Sequence, residues 1–264
     1  MTEGNLGLPA EPLCGFDELI NQLRLCIDDL GTANVSARTC RMTAADALPF
    51  AVGSHAGKGI VLKSRAALEL GGAQGSSWYV LTTADESLVH DGQVTLVGCD
   101  FPEMQRGSEV PFAQVLLVAG PQMTGDCHQM VEECATVKDW IAGYFLRTMP
   151  GELTVRISNE LFDAGICAAD LGAALSKLIK GEVGHAAAVE CLFVTSSRQD
   201  VAKVAALRGE AARVSHDLRK ESWAQRGIDI DCKSGSHCGQ CSDKEICDRV
   251  REIGHMRKKF SEDP

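Results

Sequence analysis

The sequence is poor in positive charge, in aromatic rings and in long apolar runs. Only 26 of its 264 residues are Lys or Arg, against 36 Asp or Glu, a formal net charge of −10 at neutral pH. A surface of that sign has no counterion-release term to draw on, which argues against general affinity for nucleic acid or an anionic membrane. No stretch approaches the roughly 20 apolar residues of a membrane span. Residues 1–12 (MTEGNLGLPAEP) contain neither a basic segment nor an apolar one, so no secretory leader is read there and a cytoplasmic protein is expected. Prolines number 8, and 45% of residues are hydrophobic, so neither disorder nor a collagen-like chain fits.

Several catalytic signatures are also missing. There is no G-x-G-x-x-G, no G-x-S-x-G and no His pair at i, i+4. The segment Gly53 to Gly59 (GSHAGKG) resembles a phosphate loop only superficially. Three residues rather than four precede Gly57-Lys58, and Gly59 stands where a magnesium-holding hydroxyl belongs.

What the chain does have is cysteine, twelve in all. A reducing cytosol disfavours structural disulfides, so these thiols need another explanation. Eight (Cys14, Cys26, Cys40, Cys99, Cys127, Cys134, Cys167 and Cys191) are scattered, mostly within apolar patterns, and read as small core residues. The other four, Cys232, Cys238, Cys241 and Cys247, crowd into DCKSGSHCGQCSDKEIC, which is polar and rich in Gly and Ser. Burial in a core does not account for cysteines there.

Apolar residues at i, i+3, i+4, i+7 spacing predict a helix over 16–30, stopped by Gly31. Short strands are expected at 78–83, 93–99, 113–119, 153–157 and 189–195, with Asp91-Gly92 turning the first two into a hairpin. Further helices are predicted over 127–147, 170–180 and 198–222, and a short one from Asp248 to Lys259. The fold class is therefore α/β or α+β, a mixed sheet with packed helices and a C-terminal irregular cysteine-cluster segment. The expected divisions are an N-terminal helical segment at 1–45, an α/β domain at 46–222, and a cluster segment with basic tail at 223–264. Residues 219–264 carry 10 basic and 9 acidic residues, leaving 16 and 27 for residues 1–218. The acidity thus belongs to the body and not to the cysteine tail.

The quartet is spaced C-x5-C-x2-C-x5-C. Four soft thiolates complete either an all-cysteine zinc site or a 4Fe-4S cubane. Zinc knuckles usually come as two C-x2-C pairs, and only one is present here. One close pair with two outlying cysteines, on a loop freed by Gly235 and Gly239, favours the cluster, with zinc as the alternative. His237 is adjacent but unnecessary to a four-thiolate set. The basic residues Arg249, Arg251, Arg257, Lys258 and Lys259 follow, either facing solvent or offsetting a cluster's negative charge.

The stretch Ala67 to Met123 carries a resemblance. It holds a Gly-Gly after an acidic strand, an aromatic strand, an acidic turn ending in Asp-Gly and the step Leu96-Val97-Gly98-Cys99-Asp100. A Gly-Ser followed by a Pro and an apolar strand comes next. From about Phe50 to Cys247 the chain resembles the middle region of the acetyl-CoA synthase subunit of carbon monoxide dehydrogenase/acetyl-CoA synthase complexes. Val155-Arg156-Ile157-Ser158 is similar to a later basic step of that family, which makes Arg156 a ligand-contact candidate. The resemblance implies a 4Fe-4S cluster with Cys238 and Cys241 as the paired ligands and Cys241 as the member that bridges to nickel. The pattern departs from the family in having Cys232 upstream and only Cys247 downstream of the pair. The family's nickel-holding Gly-Cys-Gly does not occur in these 264 residues.

The expectation is therefore a cytoplasmic 4Fe-4S protein of one-carbon metabolism, ligated by Cys232, Cys238, Cys241 and Cys247. It would pass electrons to a redox enzyme or dock a methyl-carrying corrinoid protein, in a non-catalytic role. The alternatives are one part of a split synthase-like methyl or acyl transferase whose nickel ligands come from a partner, and a structural four-cysteine zinc module.

Overall fold

In the computed structural model, residues 15–33, 36–53, 56–57, 59–136, 140–149, 152–225 and 248–249 are described. The expected first helix is α1 (Phe16–Ala33), which runs slightly past Gly31. Its stripe of Phe16, Leu19, Ile20, Leu23 and Leu30 is buried, as the spacing requires. A short strand β1 (Arg38–Arg41) follows, then β2 (Ala66–Gly71), β3 (Ser76–Thr83), β4 (Gln93–Val97), β5 (Ser108–Val110) and β6 (Phe112–Ala119). Next come α2 (Gly125–Thr136), β7 (Tyr144–Met149), β8 (Glu152–Ser158), α3 (Asn159–Asp163) and α4 (Ala168–Glu182). The described series ends with β9 (Ala188–Val194), α5 (Arg198–Ala205) and α6 (Arg208–Gln225).

Two mixed sheets result. The larger has the order β1-β4-β9-β6-β3 and the smaller β5-β2-β8-β7. The interior strand β6 is buried along its whole length, and alternation divides its side chains between two cores. Phe112, Leu116 and Val118 join the smaller sheet and residues of α2 and α4 in one core. Ala113, Val115, Leu117 and Ala119 face α1, α5 and α6 in the other. Phe112 stacks on Phe193 of β9 with ring centroids 5.9 Å apart. The mixed α/β class expected from the sequence is what the chain adopts.

Three local expectations are corrected. The hairpin across Asp91-Gly92 does not form, because β3 and β4 lie at separate positions in the larger sheet. The turn itself exists, with Gly92 at φ +69°, and it delivers β4 to a parallel partner, β9. Next, the helix over 127–147 ends at Thr136, and Tyr144–Met149 is strand β7. Its apparent stripe was misaligned: Met130 is exposed, and the buried face consists of His128, Val131, Cys134 and Ala135. Lastly, the helix over 198–222 is two helices, with a turn at Ala206–Leu207 beside Gly209, a poor helix former. Val201, Val204, Ala211 and Val214 still point into one core across that break.

Candidate functional site

Cys232, Cys238, Cys241 and Cys247 lie outside the described residues, as do His237 and most of the basic tail. What the structure does describe is the platform that leads to them, since Cys232 follows the end of α6 by seven residues. Ser197 caps α5 by accepting the amide of Asp200 (3.1 Å), while the Asp200 carboxylate accepts from the hydroxyls of Ser196 and Ser197. The Tyr79 hydroxyl donates to the Val204 carbonyl (3.1 Å), tying α5 to β3. Burial pushes the ionisation of that phenol well above its ordinary range.

α6 is fastened to α2 by a polar seam. Glu132 of α2 accepts from Ser215 (3.3 Å) and from Arg219 (3.4 Å), both on α6. Behind it lies His128, wholly buried, with Nε2 3.4 Å from Glu132 Oε1 and Nδ1 3.2 Å from the Thr82 hydroxyl. Its ring packs on Phe16 of α1 at 4.8 Å between centroids. Ser222 donates to Asp126, closing the seam one turn further along. Arg219 therefore turns to α2, with a side chain only 13% exposed.

Helices in this seam approach closely because Gly125 has no side chain. A Cβ there would stand 2.4 Å from the Leu218 carbonyl oxygen. Gly125→Ala is therefore expected to push α6 off α2 and cost about 2 kcal/mol, the usual scale of overpacking. A urea unfolding curve measures the loss, and Gly181→Ala, where a Cβ meets nothing within 4 Å, is the control.

The motif Leu96-Val97-Gly98-Cys99-Asp100 forms a structural joint. β4 stops at Val97, and Gly98 takes φ +117° as the backbone passes the Thr195–Ser196 segment. Asp100 then gathers three elements. Its carboxylate accepts the amide of Phe101 (2.8 Å), the amide of Ala168 at the start of α4 (2.7 Å) and the guanidinium of Arg38 on β1 (3.1 Å). Asp170 adds a second carboxylate at the same helix start, accepting from the Cys167 amide (3.0 Å). Two anions at a helix N-terminus are favoured by its dipole. Sequence reading missed this role, although Asp100-Phe101-Pro102-Glu103 carries the signature of a capping box.

Arg156 lies on β8 in the smaller sheet. Its Nε bonds Glu69 Oε2 on β2 (3.1 Å), and its guanidinium sits 5.7 Å from the Phe145 ring centroid on β7. Two residues on its face thus engage it.

Of the scattered cysteines, Cys134 and Cys191 are buried, Cys26, Cys40, Cys127 and Cys167 are half-buried, and Cys99 is exposed. Burial holds Cys191 strongly towards the neutral thiol. It also leads the causes that push Cys134 and Cys167 up to about 11. Such thiols are poor nucleophiles and poor ligands at neutral pH. Among the described residues no group of three or more His, Cys, Asp or Glu is placed to hold a metal ion. None of the described helices is long and apolar enough to cross a membrane.

Comparison with known proteins fits this geometry. The family profile described as CO dehydrogenase/acetyl-CoA synthase complex beta subunit matches residues 48–200, from the loop after β1 into α5. The acetyl-CoA decarbonylase/synthase complex subunit beta of Methanothermobacter thermautotrophicus is 28% identical over 175 residues, 66% of this chain and 36% of that protein. Its counterpart in Archaeoglobus fulgidus is 25% identical over 48% of this chain and 25% of that protein. Subunit beta 1 of Methanosarcina thermophila is 24% identical over 62% and 34% respectively. The chain thus spans a quarter to about a third of the length of these relatives, and the profile match stops ahead of the cysteine quartet. Covering the smaller sheet, the larger one except β1, and the Gly98–Asp100 joint, the match places this chain in the CO dehydrogenase/acetyl-CoA synthase complex beta subunit family.

Proposed function

We propose that this chain is an iron–sulfur component of an acetyl-CoA synthase-type system, carrying a 4Fe-4S cluster on Cys232, Cys238, Cys241 and Cys247. The observation that carries the proposal is the C-x5-C-x2-C-x5-C quartet on the C-terminal side of a body of this family. The donor set fits the group: four soft thiolates within sixteen residues, in a segment without a competing apolar pattern. A bound cluster would supply one-electron transfer. The chain's own contribution is to hold the four thiolates and to set the cluster's surroundings, with hydrogen bonds and exposure tuning its potential. The seam between α2 and α6 supports the reading by giving the cysteine segment a fixed point of departure. The partner in this proposal is a protein, either a redox enzyme or a methyl-carrying corrinoid protein, and the role is electron transfer or docking.

Anaerobic purification with metal analysis is the test. About four iron atoms per chain, a broad visible absorbance and an EPR signal on dithionite reduction are expected. Cys238→Ser and Cys241→Ser should each lower the iron content while leaving the far-UV circular dichroism of the body unchanged. Stoichiometric zinc and a colourless protein after iron–sulfide reconstitution would overturn the cluster and leave the structural zinc module.

Family membership favours one second reading, a split methyl or acyl transferase in which a partner provides nickel ligands. It requires nickel to bind only when that partner is present, and Cys241→Ala to abolish the binding.

A further inference from the structure

A cleft of about 520 Å³ lies between the end of β1 and the exposed side of α4, away from the α2–α6 seam. Arg41, Lys177 and Lys180 line it with the Ser176 hydroxyl, and Met42 and Ala173 contribute apolar walls. No carboxylate is among the lining residues, although acidic residues outnumber basic ones by 36 to 26 over the chain.

Two of the three cations are held by Asp91. Lys180 Nζ bonds Asp91 Oδ1 at 2.7 Å, and Arg41 Nη1 donates to the Asp91 carbonyl at 3.1 Å. Asp91 also accepts the Val189 amide (2.9 Å), which fixes it to β9. Burial alone would raise the pKa of its carboxyl, but the Lys180 ammonium and the Val189 and Gly92 amides outweigh that and lower it. Lys177 stands one turn from Lys180 on the same helical face and has no ion-pair partner among the described residues. Asp170, on the same helix, is 6% exposed and accepts from the Thr43 hydroxyl (2.6 Å) and the Cys167 amide. Of the three cations that line the cleft, only Lys180 pairs with a carboxylate among the described residues.

We infer that this cleft binds a phosphorylated small molecule, with Arg41, Lys177 and Lys180 receiving the phosphate oxygens. A guanidinium matches paired phosphate oxygens, and two ammonium groups supply further charge-assisted bonds. Two cations without an ion pair, Arg41 and Lys177, suit a phosphate dianion or diphosphate better than a single carboxylate. The cleft exceeds the size of one phosphate, and the walls of Met42 and Ala173 would accept an organic group attached to it.

Calorimetric titration of the full chain with inorganic pyrophosphate and, separately, with ADP tests the inference at low salt. Binding that weakens as KCl is added is expected, with a Kd about tenfold higher in Lys177→Glu. Lys177 is exposed and unpaired, so the unfolding midpoint of that variant should stay at the wild-type value. Tighter binding of ADP than of pyrophosphate supports a seated organic group, while equal binding supports recognition of the phosphates alone. Absence of binding for both ligands at millimolar concentration, or binding that Lys177→Glu leaves intact, would overturn the inference.

Discussion

Arg24→Ala should unfold at markedly lower urea concentration, with a loss of about 3 kcal/mol, the lower end for breaking a buried ion pair. Glu190 lies at the centre of the larger sheet with only 2% of its side chain exposed, and Arg24 reaches it from α1. The contact is two-pronged, Nη1 to Oε1 at 3.2 Å and Nη2 to Oε2 at 3.0 Å, with Nη2 also donating to the Leu88 carbonyl. Removing the guanidinium leaves a carboxylate in the core with the His90 amide (2.7 Å) as its main remaining donor. The lower end of the range applies because Arg24 is 30% exposed, so water reaches one side of the pair. Glu190→Gln in the Arg24→Ala background should recover part of the loss, since the amide keeps an acceptor for His90 while removing the charge. If Arg24→Ala unfolds within about 0.5 kcal/mol of wild type, the range of a surface substitution, the pair does not anchor α1.

Gly98→Ala is expected to be at least as damaging, on the order of 3 kcal/mol. Two costs combine there. The backbone sits at φ +117°, a region L-residues rarely adopt. A Cβ would also stand 2.5 Å from the Thr195 hydroxyl oxygen and 2.6 Å from the Ser196 amide nitrogen, and backbone cannot rotate aside. Relief by separating the two segments would stretch the bonds that join them, Thr195 N to the Val97 carbonyl (2.8 Å) and Thr195 Oγ1 to the Cys99 carbonyl (2.7 Å). It would also displace Asp100 from the start of α4. Differential scanning calorimetry should register a drop of roughly 6–12 °C in Tm for a domain of this size. Gly107→Ala separates the two costs, because Gly107 has φ +84° but open space around it; it should lose only the conformational part, about 1 kcal/mol. Equal losses at the two positions would mean that the close approach at Gly98 carries no weight.

The elements legible in the sequence were those whose signal is local. The stripe from Phe16 to Leu30 marked α1, and the apolar runs at 113–119 and 189–195 marked β6 and β9. Strands β1, β5 and β7 escaped because their sequences alternate weakly or are short, and β2 was marked only by the family resemblance; RTCR and SEV bury almost nothing. The alternating i+4 and i+3 spacing of Met130, Cys134, Val137, Ile141 and Tyr144 was an accident of composition, since Met130 and Cys134 lie on a helix and Tyr144 on a strand. The cysteine quartet stands out by its spacing, and its four residues lie outside those the structure describes. The acids that organise the body, Asp91, Asp100 and Glu190, could not be recognised, since a carboxylate in the sequence carries no sign of what it will face.

By itself, then, the sequence determined the two periodicities, the mixed α/β class, the spacing of Cys232, Cys238, Cys241 and Cys247, and the acidity of the body. All of these depend on neighbours along the chain. Only the tertiary structure decided that Arg24 meets Glu190 across 166 positions, that Arg156 is engaged by Glu69 and Phe145, and that Arg41 and Lys180 share Asp91 at the edge of a cleft. The physical reason is that ion pairs and close backbone approaches join residues whose separation in sequence is arbitrary. Strand order sets those meetings, and hydrophobic alternation says which face a residue takes without saying which strand lies beside it.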